Sequence, residues 1–565
     1  MEAQLINHIA RVSEEGDPHI GAETEGITTD RHYLDVVHAI RGQQPTHAIK
    51  EWIRANCQGG EKIARDITCD IPETTVEANP APLRSPLSSA ASQRLMAIII
   101  DHALRALSGE DGVQLLNGAA WRPPDATAED VSRHIPLWKQ AYYKHQIGVH
   151  GDKTAAAAGD HLNLSAPWLG RRNDKKEISR RMIELTAQMR LIAAALSISI
   201  SASSPLYFSS NGSARFSKPG TSLTQWDSAR LGQVWPGRTI MDVADLYASP
   251  ISFRRTLNRY RENGVLKTGR DIWLPVRAQP GSIEKYESFE EICSGEGLNM
   301  STEGGKADAE KKLMASYKYG PSNPRDNQYS GDKIWQNIEG WRQRMLQAII
   351  ETPRNRVEVR TLETPPAFED QTPYEYIKAV HTFLEMLFIY LSTNPDFLDN
   401  LEYDGITLQA AKHNEEKVLT RGLDAEIYWI PNMTTTTPRD LLRFVLGKIE
   451  DLSRGMGRQE DLRIIQELVS GGLKTPAVRI REEVGEWYGV NIEDRSGARI
   501  LAGDEYPREL LDRTREAMPK EVEQIRTDLP RMPEKDRPYI ESLLAVVDEI
   551  SKSKIVTTST YATGG

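Results

Sequence analysis

Acidic residues and a histidine recur in four short stretches that lie far apart along the chain. The residues concerned are Glu23 and Glu25, Asp70 and Glu77, His161 and Asn163, and Glu358 and Arg360. Residues two positions apart point to the same face of a β-strand. If these stretches belong to one sheet, five acids and a histidine meet on one face and repel each other unless cations bind. Carboxylate oxygens suit Mg²⁺ or Mn²⁺, and His161 supplies a nitrogen ligand.

The stretch over residues 357–363 has the clearest alternation of side chains. Read as a strand, it has two faces, which are Val357, Val359 and Thr361 on one side and Glu358, Arg360 and Leu362 on the other. Burying an unpaired charge is costly, so a face that carries an acid and an arginine pairs internally, binds a metal or meets a ligand. An internal Glu–Arg ion pair on a half-exposed sheet is the plain alternative.

The other stretches also have purely structural interpretations. Glu23 and Glu25 suit a solvent-exposed strand edge, and a lone histidine such as His161 is more often structural than a ligand. The repetition of one design in four separate places favours a metal site over these separate explanations.

A magnesium site of this kind also predicts a nucleotide. Mg²⁺ keeps several waters and usually bridges to phosphate oxygens. Arg360 beside the acids would neutralise charge on a phosphoryl group during transfer. The sequence contains no GxxxxGK[ST] motif and no kinase signature set, so neither of these common phosphate-binding architectures is supported.

Helical periodicity predicts the elements that flank these strands. Apolar spacing indicates a short opening helix in residues 1–13 and longer helices over 88–107 and 177–200. Pro373 suits the first turn of a helix over 372–391. A helix within 410–428 is expected to end near Gly422. Thr437 and Pro438 mark the start of another helix.

Composition argues against several classes of protein. The net charge of -10 and the pI near 5.8 argue against a general nucleic-acid binder. Cys57, Cys69 and Cys293 form no CxxC pair, so neither a zinc site nor a disulfide framework is predicted. No signal peptide is visible, and the most apolar run, 383–391, is too short to span a bilayer. We therefore expect a soluble, cytoplasmic protein that binds neither nucleic acid nor membrane.

The chain divides, by pattern, into residues 1–437 and a helical C-terminal region over 438–565. A Gly- and Pro-rich segment over 294–332 is expected to be a flexible lid or insertion. The last ten residues are expected to be disordered. The basic stretch over 211–255 includes Arg230 and Arg238 and suits contact with phosphates or carboxylates, although a solvated loop is the plain alternative.

The motifs in these stretches resemble those of glutamate–cysteine ligases, which belong to the carboxylate–amine ligase superfamily and share a catalytic sheet with glutamine synthetase. They read GAETEG at 21–26, ITCDIPETTVE at 67–77, GDHLNLS at 159–165 and VEVRTLE at 357–363. The seven-residue step from Asp70 to Glu77 matches the bacterial branch. Shorter similarities occur at 203–205, 221–223 and 414–425. The resemblance covers roughly residues 19–425 and is dense only in these motifs.

This resemblance implies an α+β fold in which a curved antiparallel sheet forms a funnel-like active site with helices on its outer side. It implies about two or three Mg²⁺ (or Mn²⁺) ions between the sheet and ATP. Glu358 and Arg360 would be catalytic, with Arg360 on the γ-phosphate. The implied metal ligands are Glu23, Glu25, Asp70, Glu77, His161 and Glu358.

The implied reaction forms an amide in two steps. A substrate carboxylate attacks ATP to give an acyl phosphate, and an amine then displaces phosphate. With glutamate as the acid and cysteine as the amine, the product is γ-glutamylcysteine. In the bacterial branch an arginine tends to follow the TSL-like motif, where this chain has Thr224. Arg230 or Arg238 would then hold the substrate carboxylate, with Asn163 as a further substrate contact.

Three alternatives to glutamate–cysteine ligation are open. The amine could be something other than cysteine. The acceptor could be a protein lysine, as in the Pup ligase and deamidase branch. The chain could also be a non-catalytic metal-binding relative, although the presence of all six implied ligands and Arg360 argues against loss of the site.

Overall fold

The computed structural model describes most of the chain, with gaps. The described residues are 3–31, 37–69, 74–109, 112–117, 120–122, 158–169, 175–209, 220–234, 276–279, 356–398 and 405–552. Several sequence predictions lie outside these residues: Asp70, Arg238, the segment 294–332 and the disordered end.

A seven-stranded sheet forms the centre of the fold. Its strands are β1 (Ile20–Asp30), β2 (Ile67–Cys69), β3 (Thr75–Ala78), β4 (Val113–Asn117), β6 (Asp160–Leu164), β9 (Val276–Gln279) and β10 (Arg356–Leu362). They follow the order β2-β3-β1-β6-β10-β9, with β4 also paired to β1, and every pair is antiparallel. The sheet is open. The predicted α+β class with an antiparallel sheet is confirmed, while its curvature and funnel shape remain predictions.

Two smaller sheets complete the β structure of the described residues. One has the order β13-β8-β7-β5, with strands β5 (Ala120–Arg122), β7 (Leu206–Ser209), β8 (Gly220–Leu223) and β13 (Arg499–Ile500). The other pairs β11 (Ile427–Trp429) with β12 (Thr434–Thr436). Strand β13 pairs with β8, so the C-terminal region contributes a strand to a sheet built by the earlier part of the chain.

A β-bulge corrects one prediction for β10. Val359 pairs with Leu162 of β6, whereas Leu362 pairs with Asp160, so β10 advances three residues while β6 advances two. The extra residue changes the phase of the alternation. Leu362 therefore joins Val357 and Val359 in the apolar core instead of sharing the face of Glu358 and Arg360.

Helices cover the apolar face of the sheet and form the C-terminal region. In chain order they are α1 (Ala3–Glu15), α2 (Pro45–Asn56), α3 (Gly60–Arg65), α4 (Pro86–Ser108), α5 (Lys175–Ser201), α6 (Ala229–Val234), α7 (Pro373–Thr393), α8 (Gly405–Arg421), α9 (Pro438–Gly455), α10 (Arg463–Ser470), α11 (Pro476–Tyr488), α12 (Glu505–Glu516), α13 (Met518–Asp528) and α14 (Arg537–Lys552). None of the helices in the described residues is long and apolar enough to cross a membrane.

The ends of these helices follow local chemistry. Thr372 caps α7 in a capping box with Glu375, and Pro373 occupies the first turn. The Thr437 hydroxyl caps α9 by accepting a hydrogen bond from the backbone nitrogen of Asp440. Helix α8 stops before Gly422, which has a positive φ of 50° that few residues other than glycine adopt. The predicted helices are confirmed at these positions.

The main core lies between the apolar face of the sheet and helices α5 and α7. Leu162, Leu164, Val357 and Val359 are fully buried there. Helices of the C-terminal region also supply core residues: α9 packs into this cluster, α13 and α14 pack into a second cluster with α4, and α11 packs into a third. The opposite face of the central strands is left for polar side chains. The division into two domains at residue 438 remains a prediction.

Candidate metal centre

Three neighbouring strands bring the predicted site residues together. In the antiparallel register, Glu23 of β1 is paired with His161 of β6, and Asn163 of β6 is paired with Glu358 of β10. Paired residues share a face of the sheet. Side chains that are more than 130 positions apart in sequence therefore meet above the middle of the sheet.

Glu23, His161 and Glu358 form a compact cluster of metal-ligand type. His161 Nδ1 lies 2.9 Å from Glu23 Oε2 and 3.5 Å from Glu358 Oε1. One ligand atom from each of the three residues lies within 4.8 Å of the other two. His161 Nε2 is 4.0 Å from Oε1 of Glu25, which adds a fourth residue at the edge of the cluster. These oxygen and nitrogen donors fit Mg²⁺ or Mn²⁺.

The surroundings of Glu23 keep this acid charged. Burial raises the pKa of Glu23, and the nearby Glu358 raises it further, but the hydrogen bond with His161 and the charges of His161 and Arg356 together lower it more, so the net pKa is lowered. Glu23 Oε1 also accepts a 3.0 Å hydrogen bond from Asn163 Nδ2. Glu23 is thus held as a carboxylate by two side chains of β6.

Asn163 lies within the site with one atom available. Its Oδ1 atom is buried and has no hydrogen-bond partner among the described residues. The residue orients a carboxylate of the cluster through its amide nitrogen and leaves its carbonyl oxygen for another donor. Its predicted contact with a substrate is untested.

The arginine of β10 borders the acids. Arg360 Nε lies 3.4 Å from Glu358 Oε1, and 16% of the Arg360 side chain is exposed compared with 1% for Glu358. The plain alternative of an internal Glu–Arg ion pair is therefore realised, and it lies inside the acid cluster. A partly exposed guanidinium beside buried acids can bind an anionic group of a ligand, while the acids bind the cation that accompanies it.

Glu25 and Glu77 continue the acidic face across the next strand. They are paired with each other between β1 and β3. Glu25 Oε2 accepts a hydrogen bond from the backbone nitrogen of Gly159 (3.0 Å), and Glu77 Oε2 accepts one from Thr68 Oγ1 (2.9 Å). Five of the six predicted ligands thus lie on neighbouring strands, and Asp70 lies outside the described residues.

Arg230, predicted to hold a substrate carboxylate, is buried against the end of β10. Its Nη2 atom donates to the backbone oxygens of Arg360 (3.1 Å) and Leu362 (3.0 Å), and its Nε atom lies 3.4 Å from Glu363 Oε1. These contacts fix the backbone on either side of the bulge. Arg230 therefore supports the strand that carries Arg360, and a role in substrate binding remains a prediction.

Sequence reasoning missed a second buried acid at this end of β10. Glu363 accepts hydrogen bonds from the Ser203 backbone nitrogen (2.6 Å), Ser204 Oγ (2.8 Å) and Ser228 Oγ (2.5 Å). The sequence features that could have indicated these contacts are the short motif at 203–205 and Glu363, the final acid of VEVRTLE. A buried carboxylate needs several donors, and consecutive serines supply them.

No family model and no curated protein matches the sequence. Among solved structures, the chain is similar to glutamate–cysteine ligase from Francisella tularensis, solved in complex with AMP. The TM-score is 0.54 with 14% identity, over 95% of this chain and 97% of that one. This chain has the fold of glutamate–cysteine ligase. The fold class implied by the sequence resemblance is confirmed.

Two further structures share parts of this fold. A bifunctional glutathione synthetase from Pasteurella multocida has a TM-score of 0.51 and 11% identity, over 91% of this chain and 54% of that one. This chain thus spans about half the length of that enzyme. The complex between Pup and its ligase gives a TM-score of 0.37 and 10% identity, over 87% and 73% of the two chains. A score this low carries no weight, and the identities of the other two limit them to evidence for the fold.

Proposed function

We propose that this protein is an ATP-dependent carboxylate–amine ligase that forms a γ-glutamyl amide, with glutamate as the acid and cysteine as the amine. The observation that carries this proposal is the cluster of Glu23, His161 and Glu358 with Arg360 beside it. The shared fold with glutamate–cysteine ligase supports it. The cytoplasmic location expected from the sequence is part of the same proposal.

Glu23, His161 and Glu358 would hold the metal, with Glu25 as a neighbouring ligand. A divalent cation bound there would neutralise negative charge on the ATP phosphates. Arg360 reaches the rim of the cluster and would stabilise the charge on the transferred γ-phosphoryl group. Asn163 keeps Glu23 in place, and Arg230 fixes the backbone of β10 on both sides of the bulge.

The proposed reaction balances in two displacements. An oxygen of the substrate carboxylate forms a bond to the γ-phosphorus, the bond to the bridging oxygen breaks, and ADP leaves. The amine nitrogen then forms a bond to the acyl carbon, inorganic phosphate leaves, and the nitrogen loses a proton. The protein contributes positioning and charge stabilisation in both steps.

The decisive experiment measures phosphate release from Mg-ATP with glutamate fixed and the amine varied, followed by mass spectrometry of the product. Cysteine-dependent release with the mass of γ-glutamylcysteine would support the full proposal. Phosphate release that depends on another amine would support the mechanism but identify a different substrate. The identity of the substrate is open because this chain has Thr224 where the bacterial branch tends to have an arginine. Absence of release with every free amino acid would contradict the proposal and favour a protein acceptor or a non-catalytic role.

A further inference from the structure

Asp160 lies directly behind the candidate metal centre, on the other face of the sheet. It is the first residue of β6 and precedes His161, so the two side chains point to opposite faces. In the antiparallel register Asp160 is paired with Thr24, which lies between Glu23 and Glu25 in β1. Asp160 and Thr24 are both buried. The pair therefore backs strands that carry proposed metal ligands.

The carboxylate of Asp160 connects β6 to both of its neighbouring strands. Its Oδ1 atom accepts a hydrogen bond from Thr24 Oγ1 of β1, and its Oδ2 atom accepts one from Thr364 Oγ1 at 2.6 Å. Thr364 follows the last residue of β10 by two positions and is also buried. One side chain thus joins three strands that lie side by side in the order β1-β6-β10. Each of these strands supplies one residue of the metal cluster, and the three residues are Glu23, His161 and Glu358.

The β-bulge makes this connection important for β10. The register between β10 and β6 shifts just before Leu362, whose partner is Asp160 itself. A bulge interrupts the ladder of backbone hydrogen bonds, and Arg360 lies within the interrupted stretch. The hydrogen bond from Thr364 to Asp160 restrains β10 just beyond that stretch. It therefore helps to fix where Glu358 and Arg360 stand relative to β6.

The metal cluster depends on distances that a small shift of one strand would change. His161 Nδ1 is 2.9 Å from Glu23 Oε2 and 3.5 Å from Glu358 Oε1. Mg²⁺ demands near-ideal octahedral geometry, with ligand atoms at about 2.0–2.1 Å. Residues that orient metal ligands from behind typically change metal affinity by about 10–100-fold. A residue that joins all three strands is therefore placed to control the affinity of this cluster.

We propose that Asp160 is a positioning residue that holds Glu23, His161 and Glu358 at metal-binding distances by joining β1, β6 and β10. It acts through the strands and is not itself a metal ligand. This inference rests on the proposed function, because it requires a metal at the cluster. Within the motif GDHLNLS, His161 and Asn163 serve the cluster from one face of the sheet and Asp160 serves it from the other.

The test measures the affinity for Mn²⁺ by electron paramagnetic resonance on the full chain without nucleotide, so that it does not depend on turnover. Asp160→Ala removes both hydrogen bonds and should weaken Mn²⁺ binding by about tenfold. Thr24→Val and Thr364→Val each remove one hydroxyl at nearly constant shape, and each should weaken binding by about threefold.

The conservative variant Asp160→Asn should bind Mn²⁺ nearly as tightly as the unmodified protein. Its amide oxygen accepts a hydrogen bond from one threonine hydroxyl, and its amide nitrogen donates to the other. Rescue by asparagine therefore shows that the two hydrogen bonds are what matters. A loss in Asp160→Asn as large as in Asp160→Ala would assign the effect to the charge and overturn the proposal.

A double variant shows whether the acid and a threonine act through one contact. In the Asp160→Ala protein, the further change Thr364→Val should alter the Mn²⁺ affinity little, because that hydroxyl has already lost its partner. A further threefold loss would mean that the two residues act independently, which would also overturn the proposal.

Two control variants separate this effect from other causes. Glu415→Ala removes a buried ion pair between α8 and α5, in which Glu415 Oε1 lies 2.9 Å from Arg190 Nε, and should leave the Mn²⁺ affinity unchanged. A loss equal to that of Asp160→Ala would mean that metal affinity follows overall stability, against the proposal. Glu358→Gln removes a proposed ligand and should weaken Mn²⁺ binding by at least tenfold, which shows that the signal reports on this cluster.

The outcomes distinguish this inference from the proposed function. Absence of Mn²⁺ binding to the unmodified protein, or unchanged binding in Glu358→Gln, would contradict the metal centre and with it both proposals. Equal affinity in the unmodified protein and in Asp160→Ala would overturn this inference alone. If Asp160→Ala does not fold, as judged by circular dichroism, Thr24→Val and Thr364→Val still decide the question.

Discussion

Glu25 of β1 lies directly opposite Glu77 of β3 in the antiparallel register. Two like charges in this position destabilise a sheet by up to about 1 kcal/mol unless a cation lies between them or beside them. The hydroxyl of Thr68 and the backbone nitrogen of Gly159 each relieve one of the two carboxylates. The pair therefore contributes to the case for a divalent cation on this face.

Removing the charge of Glu77 should have opposite effects with and without metal. In EDTA, Glu77→Gln should raise the free energy of unfolding by about 0.5 kcal/mol, because the repulsion with Glu25 is gone. With Mn²⁺ present, the unmodified protein should gain more stability than the variant, because ligand binding stabilises the folded state. Thermal unfolding in both conditions measures the two effects. If Mn²⁺ stabilises both proteins equally, Glu77 is not a metal ligand. The control is Glu450→Gln, which removes a carboxylate from the exposed face of α9.

Arg360 and Glu358 should be required for turnover with little effect on folding. Loss of a charge-stabilising donor typically lowers kcat by about 10²–10³-fold, so Arg360→Ala and Glu358→Gln should each reduce phosphate release at least that much. The free energy of unfolding should change little, because Glu358→Gln relieves repulsion among the acids and Arg360→Ala removes only a partly exposed ion-pair partner. Arg454→Ala removes an arginine from the exposed face of α9 and should retain full activity. Near-full activity in either site variant would show the site assignment to be wrong.

Gly159 should tolerate no side chain, because Arg230 packs directly on it. A Cβ atom there would lie 2.2 Å from Nη1 and 2.4 Å from Cζ of Arg230. Gly159→Ala should therefore displace the guanidinium from the backbone of β10 and cost about 1–3 kcal/mol of stability. The matched control is Gly447→Ala, in the exposed part of α9 with nothing within 4 Å, which should stabilise the protein by about 0.5–1 kcal/mol. Urea unfolding of both variants checks this, and a stable Gly159→Ala protein would contradict it.

The sequence predicted the helices and the polar face of the strands because both depend on local patterns. The hydroxyls of Thr372 and Thr437 cap helices that begin where the residue types indicate. The alternation of Glu23 with Glu25, and of His161 with Asn163, gives the same face in the structure as in the pattern. Capping and a period of two residues act over a few positions, so the sequence is sufficient for them.

The sequence could not predict what depends on contacts between distant segments. The bulge that turns Leu362 into the core arises where β10 meets β6, and no local signal marks it. From the sequence, Arg230 belongs to a basic stretch that suits contact with a ligand. In the structure it is buried and contacts Glu363 and the backbone of β10. The ion pair between Asp101 of α4 and Arg515 of α12 joins residues that are 414 positions apart in the chain.

His381 should make the protein less stable as the pH falls below neutral. Burial lowers the pKa of this histidine from its ordinary 6.5 to about 3. The unfolded chain therefore takes up a proton near pH 6.5 while the folded chain does not, and stability is complete above 6.5 and declines as pH falls towards 3. The expected decline is about 1.4 kcal/mol per pH unit below 6.5. In urea unfolding at about pH 7 and pH 5, His381→Phe should lose about 2 kcal/mol less than the unmodified protein. An identical pH dependence in both would contradict this.

Arg481 of the C-terminal region should be essential for the stability of the segment that leads into α6. It is almost fully buried, and its Nε donates to Asp227 Oδ1 at 2.9 Å while Nη2 donates to the backbone oxygens of Thr224 and Trp226. Arg481→Ala should cost about 3 kcal/mol or more, because the carboxylate of Asp227 and the carbonyl groups of Thr224 and Trp226 all lose their buried guanidinium donor.

Arg495 provides the matched comparison because it binds the same carboxylate from a more exposed position. Its Nη1 lies 2.8 Å from Asp227 Oδ1, and 25% of its side chain is exposed, compared with 2% for Arg481. Arg495→Ala should therefore cost only about 1 kcal/mol, because Asp227 keeps its buried partner and the lost pair is partly in solvent. Chemical unfolding of the two variants gives the comparison directly. If the two variants lose the same free energy of unfolding, burial of Arg481 gives its ion pair with Asp227 no added value. Arg481 would then not be the contact through which the C-terminal region stabilises the segment before α6.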